Sequence, residues 1–357
     1  MKFRAILLAL LVCLLGTAQG QVDRERLVGL SASVLKIEVA RRQGGYSIGS
    51  GVAVAPDKVV TNCHVTRDAV GIHVLRGGVR WRADAQASRP DLDLCVLQVP
   101  GLRAEVVALG SADWLELGSP MAALGYIAGA GLQASEGVVF SLHRHEGARV
   151  IQATNGFTSG ASGGGLFDAQ LRLVGILTFR LRGSSVHYFA APVDWVLPML
   201  KNPREFQPVA PLPAKALAYW QAPASEQPRF LRAAALEQSD RWTELLALGT
   251  EWTAEVADDP EPWYLRGLAL ERQNRWEEAE DALERALGRE PNWLPALHRL
   301  GLVLIQQGRI PDARKVLDRL RPRQPMLALD LQNALERECT APIHPKACAP
   351  DPLPGTT

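Results

Sequence analysis

The sequence predicts two domains in series, an all-β domain followed by an all-α repeat domain. Three observations predict it. Short β-type runs separated by Gly, Pro and Asp fill residues 31–193; six prolines crowd between Pro203 and Pro228; beyond them an Ala-, Leu-, Glu- and Arg-rich stretch repeats every 34 residues. A chain of 357 residues has room for two ordinary domains, and 47% apolar residues supply a sizeable core. A net charge of +1, with both signs plentiful, gives no electrostatic reason to expect nucleic acid or an acidic membrane surface as partner.

Residues 1–20 have the pattern of a signal peptide. Lys2 and Arg4 form a basic start, Ala5 to Gly16 an apolar run, and Ala18-Gln19-Gly20 puts small residues where a signal peptidase reads. Removal after Gly20 makes the mature protein periplasmic or secreted. The apolar run is too short to span a bilayer, which takes about 20 residues, and no later run is longer, so no membrane span is expected in the mature form. Cys13 leaves with the signal. Cys63, Cys95, Cys339 and Cys348 remain, and an even number in an oxidising compartment favours disulfides.

Residues 21–203 form the expected β domain. Val34 to Val39, Gly51 to Val54, Lys58 to Thr61, Val138 to Leu142, Arg149 to Ala153 and Arg172 to Phe179 read as short strands of a sandwich or barrel. No amphipathic helices alternate with them, which argues against a parallel α/β sheet. Residues 204–225 read as a Pro-rich linker with one helical piece around Ala214 to Trp220.

Residues 226–332 carry the repeat. Gly267 recurs as Gly301, Ala279 as Ala313 and Pro291 as Pro325; Arg241, Arg275 and Arg309 keep the same register. Small residues let two helices approach closely, and Pro closes the second helix of each unit. Units at 260–293 and 294–327 are well marked, and a degenerate one at 226–259 reads as a cap. The pattern resembles the tetratricopeptide repeat, whose stacks offer a groove for a protein partner. Residues 333–357 read as a Pro-rich tail, in which a local Cys339–Cys348 disulfide would close a nine-residue step.

Three segments carry chemistry. They are Thr61-Asn62-Cys63-His64-Val65, Asp91-Leu92-Asp93-Leu94-Cys95-Val96-Leu97 and Ser159-Gly160-Ala161-Ser162-Gly163-Gly164-Gly165. A serine hydroxyl becomes a nucleophile only beside a neutral imidazole, and a carboxylate must fix that imidazole's tautomer. Gly160 lets the backbone turn so that its own N–H and that of Ser162 face one oxyanion site. Each piece alone is weak: a Gly-flanked Ser is usually a turn, a lone His a core residue, and an Asp before an apolar run a strand start. The order His, Asp, Ser, with steps of 29 and 69 residues on one β domain, is the specific signal.

These three segments resemble the histidine, aspartate and serine motifs of trypsin-like serine proteases of the chymotrypsin/HtrA (DegP-like) type. Leu173-Val174-Gly175-Ile176 and Phe189-Ala190-Ala191-Pro192 extend the resemblance, which covers roughly residues 25–200. It implies a chymotrypsin-like double six-stranded barrel with the site in the cleft between, and endopeptidase activity on protein or peptide substrates. His64 would be the general base, Asp93 its orienting partner, Ser162 the nucleophile, and the Gly160 and Ser162 amides the oxyanion hole. Asp91 competes for the acid role, but the family motif sets the acid directly before the apolar strand, as Asp93 is. The PDZ modules usual in HtrA proteins are missing, so their regulation does not carry over. The residue six before the nucleophile, Gly156, would floor the specificity pocket; lacking a carboxylate, it favours small or medium apolar side chains over Arg or Lys. If His64 and Asp93 meet, a Cys63–Cys95 disulfide becomes possible.

His143-Arg144-His145-Glu146 reads as an exposed hairpin loop rather than a metal site. No phosphate loop or zinc-type spacing appears, so neither metal nor cofactor is expected. The competing reading is a non-catalytic, protease-shaped scaffold for protein–protein interaction.

Overall fold

The computed structural model describes residues 24–127, 131–182 and 186–340. The expected signal peptide and Cys348 lie outside the described residues.

After a short helix, α1 (Arg24–Gly29), the first lobe contains β1 (Val34–Arg41), β2 (Tyr46–Ala55), β3 (Lys58–Asn62), β4 (Ala69–Arg76), β5 (Val79–Arg82), β6 (Ala85–Arg89) and β7 (Leu94–Gln98). A single helical turn, α2 (Cys63–Thr66), follows β3. In β1 the alternation shows why a strand forms: Leu35, Ile37 and Val39 are buried while Lys36 and Glu38 face outward and pair at 2.7 Å. Each fully buried aliphatic side chain of this kind contributes about 1.5–3 kcal/mol.

The second lobe contains β8 (Pro120–Ile127), β9 (Gly131–His145), β10 (Ala148–Ala153), β11 (Gly165–Phe167), β12 (Leu173–Arg182) and β13 (Val186–Pro192). These six close into a barrel. The first lobe does not: it is an eight-stranded sheet in the order β14-β6-β7-β3-β2-β1-β4-β5, where β14 is Gln207–Pro208. So one of the two barrels implied by the resemblance closes, and the other is a sheet with an edge strand borrowed from the Pro-rich stretch. The named strands pair antiparallel, several of them, such as β1–β2 and β2–β3, through short hairpins.

After α3 (Val196–Lys201), the Pro-rich stretch does not run free as a linker. Leu212 N–H donates to the Arg67 carbonyl at 2.8 Å, and Tyr219 N–H to the Asp91 carbonyl at 2.9 Å. Turns, not a helix, occupy Ala214 to Trp220. With so many prolines the stretch lacks the N–H groups a helix needs, and it docks as an extended strap instead.

Helices then pair: α4 (Arg229–Gln238) with α5 (Trp242–Glu255), α6 (Pro260–Arg272) with α7 (Trp276–Arg289), and α8 (Leu294–Gln306) with α9 (Ile310–Leu320). A Cβ at Gly267 would lie 2.6 Å from Leu283, so the small residue is what lets these helices approach. The last helix, α10 (Pro325–Thr340), runs into the stretch read from sequence as tail, because Leu331 and Leu335 bury against the stack.

Candidate active site

The register of β3 and β7 builds half the site. Thr61 pairs with Cys95 and Asn62 with Leu94, so the next positions, Cys63-His64 and Asp93, leave the sheet side by side. Cys63 N–H and Asn62 Nδ2 both donate to the Asp93 carbonyl, at 3.2 and 3.1 Å. Cys63 and Cys95 are joined by a disulfide with a Cα separation of 5.0 Å. Asp93 follows the turn Pro90–Leu92 at φ 59°, a left-handed conformation that Asp tolerates better than most residues. That kink turns its side chain away from the strand direction and toward His64.

The Asp93 side chain is 1% exposed, that of His64 24%. One carboxylate oxygen accepts the His64 backbone N–H at 2.7 Å, and the other meets His64 Nδ1 at 2.6 Å. With a proton on Nδ1, Nε2 keeps its lone pair and can act as a base. Asp91, the competing acid, is exposed and paired with Arg89 at 3.0 and 2.6 Å. It takes no part in this cluster.

Ser162 comes from the other lobe, on the turn between β10 and β11. Its carbonyl accepts the Ser50 N–H at 2.8 Å, which ties the turn to β2. Gly160 and Gly163 have φ of +98° and +87°, and a Cβ on Gly163 would collide with the Ser50 carbonyl. Among the described residues, neither the Gly160 nor the Ser162 amide donates to a backbone acceptor. The Ser162 hydroxyl rests 3.4 Å from the Thr178 carbonyl, beyond the usual range for such a bond, and is weakly held. Asn62 Nδ2 also reaches Thr178 Oγ1 at 3.2 Å, so the same β12 residue touches both halves of the site.

Sequence reasoning assigned no role to two side chains here. Ser50, fully buried, donates to the Gly160 carbonyl at 2.8 Å and accepts the Tyr126 N–H at 2.7 Å. This fixes the peptide beside Ser162. Trp220, from the strap, donates its indole N–H to Asp93 Oδ2 at 3.2 Å. Gly156 faces Tyr188, whose hydroxyl would be 3.6 Å from an added Cβ, and Arg180 donates to the neighbouring Phe157 carbonyl at 3.1 Å.

The segment His143–Glu146 corrects its sequence reading. Only Glu146 and Gly147 form the tight turn; His143 lies inside β9, 6% exposed, and is bonded to Glu261 of α6 at 2.7 Å. It joins the barrel to the repeats. Among the described residues no group of three or more His, Cys, Asp or Glu side chains could hold a metal, and no helix is long and apolar enough to cross a membrane.

Residues 49–176 match the family described as trypsin-like peptidase domain, and residues 240–292 and 270–335 each match a tetratricopeptide-repeat family. A probable periplasmic DegP-like serine endoprotease of Chlamydia trachomatis is 31% identical over 143 residues, which are 38% of this chain and 29% of that protein. Its Pseudomonas putida counterpart is 31% identical over 163 residues, 43% of this chain and 34% of that protein. The matched stretch thus spans about a third of these curated relatives. Among solved structures, the HtrA-type protease AlgW with a tripeptide is 27% identical, with a TM-score of 0.46, covering 50% of this chain and 62% of that one. Residues 49–176 thus match a trypsin-like peptidase domain, part of the chain is similar to DegP-like serine endoproteases, and stretches that match tetratricopeptide repeats follow.

Proposed function

We propose that the protein is a serine endopeptidase that cleaves peptide bonds through an acyl-enzyme. The observation that carries this reading is the buried carboxylate of Asp93 locked onto His64 Nδ1 at 2.6 Å. A Gly-framed serine, linked to the His64 strand through Thr178 and with two unspent amides, supports it. In this reading His64 Nε2 takes the Ser162 proton as Oγ attacks the substrate carbonyl. The Gly160 and Ser162 amides receive the oxyanion, and Asp93 stabilises the imidazolium. The imidazolium then protonates the leaving amine, and water, deprotonated by the same imidazole, releases the acyl group.

An exported location is part of the proposal. The Cys63–Cys95 bridge supports it, since such bonds persist in oxidising compartments, and the matched relatives are named as periplasmic. The repeats are proposed to present protein substrates or partners to the cleft. A cavity of about 370 Å³ between barrel and repeats, lined by Thr154, Tyr188, Tyr264, His298 and Arg299, supports this, because the Tyr188 hydroxyl would also lie 3.6 Å from a Cβ at Gly156.

The test is peptide-library cleavage by wild type and Ser162→Ala in parallel. Cleavage by wild type alone, with small or medium apolar residues before the scissile bond, is expected. Equal cleavage by both, or none by folded wild type, contradicts the reading and leaves the scaffold.

A further inference from the structure

The strap between barrel and repeats is pinned to the turn that bears His64. Arg67, directly after α2, donates to the Ala216 carbonyl at 2.9 Å and to Gln221 Oε1 at 3.1 Å. Between these anchors, Tyr219 is buried against Phe179, Trp195, His145 and Phe230. The next residue, Trp220, is thereby aimed at the site. Its indole stacks on Phe179 at 5.0 Å with the planes 12° apart, and meets the His64 ring edge-on at 5.6 Å and 89°. Its N–H donates to the same Asp93 oxygen that holds His64 Nδ1. Trp220 lies well beyond residues 49–176, the stretch that matches the peptidase family.

We propose that Trp220 is a positioning residue for the Asp93–His64 pair, so that the peptidase site is complete only when the strap is docked. The inference rests on the peptidase reading above. The indole N–H is the third donor to the Asp93 carboxylate, after the His64 amide and Nδ1. It holds Oδ2 in line with the imidazole, and the indole edge keeps the imidazole from swinging away. A donor to a charged acceptor in a dry site is among the stronger hydrogen bonds. Because Gln227, just ahead of α4, donates to the Trp220 carbonyl at 3.2 Å, the geometry also links the repeats to the triad.

The test uses the full chain and a fluorophosphonate probe that labels the nucleophile. Labelling rates are measured across pH for wild type, Ser162→Ala, Trp220→Phe and Trp220→His, together with thermal midpoints. Trp220→Phe keeps a ring on Phe179 but has no N–H; Trp220→His restores a ring donor. Trp220→Phe is expected to label about tenfold more slowly, because Asp93 Oδ2 and the imidazole lose their fixed alignment. Its acid limb should move to higher pH, because a carboxylate sharing less charge with a donor stabilises the imidazolium more. Trp220→His should recover part of the rate. Stability loss alone would not shift the limb. If Trp220→Phe matches wild type in rate and limb, or if both variants lose rate equally with no limb shift, the inference fails while the peptidase reading stands. If wild type takes no label at Ser162, the peptidase reading fails and the inference falls with it.

Discussion

Asp93 sits at φ 59° with its carboxylate 1% exposed, and both its oxygens meet His64 while Oδ2 also accepts the Trp220 indole N–H. Asn at this position would keep the shape but present an amide N–H to Nδ1, forcing the proton to Nε2. Turnover of Asp93→Asn is therefore expected to fall about 10,000-fold with little change in thermal midpoint, as measured by peptide hydrolysis and calorimetry. Gly163→Ala should act differently. Its Cβ would meet the Ser50 carbonyl and Thr61 Oγ1 at a φ that L side chains rarely adopt, so both activity and thermal midpoint should drop. The triad candidates could be read from sequence because each stands in a short local pattern, a His after a β run or a Ser among glycines. Ser50 and Trp220 could not. Ser50 reads as any small residue in a strand, and Trp220 reaches Asp93 across 127 positions of chain.

At the scale of elements, the β3–β7 pairing and the strap do most of the positioning. The disulfide Cys63–Cys95 ties the ends of β3 and β7 across a separation of 32 residues. A Cys63→Ser/Cys95→Ser variant is expected to lose about 3–4 kcal/mol, read from denaturant unfolding, on the chain-entropy account of such a loop. The strands were legible because alternation in runs such as Leu35 to Val39 has one physical meaning on a pleated surface. The strap was not, since prolines signal only the lack of helix and say nothing of what an extended segment packs on. His143 went wrong for a related reason. Polar neighbours suggest a loop, while period-two alternation within β9 turns the His143 and His145 imidazoles to the same inner face, His143 toward a partner 118 residues away.

For the whole molecule, the His143–Glu261 pair is a buried polar contact between barrel and repeats, with side chains 7% and 8% exposed. The His143 ring also stacks on Phe230 at 4.5 Å and bonds Gln152 at 2.9 Å. Burial alone would pull the imidazole down, but the Glu261 charge and hydrogen bond outweigh it and hold His143 above its ordinary 6.5. A group raised on folding adds stability that is fully present below the unfolded value and is lost as pH climbs through the folded one. The thermal midpoint should therefore decline as pH rises above about 6.5, and Glu261→Gln should flatten that decline while costing about 1–3 kcal/mol. The 34-residue repeat was legible because close helix contacts demand small residues at fixed spacing. How the repeats dock on the barrel was not, because single residues far apart in the chain make that contact.

The most direct measurement of the central claim is the mass of the folded protein after exposure to a fluorophosphonate, with the adduct mapped by peptide sequencing. One adduct on Ser162, absent in Ser162→Ala and strongly slowed in His64→Ala, is the predicted result. Folded wild type that stays unmodified, or that carries its adduct on another residue, would contradict the convergence of His64, Asp93 and Ser162 into one working site.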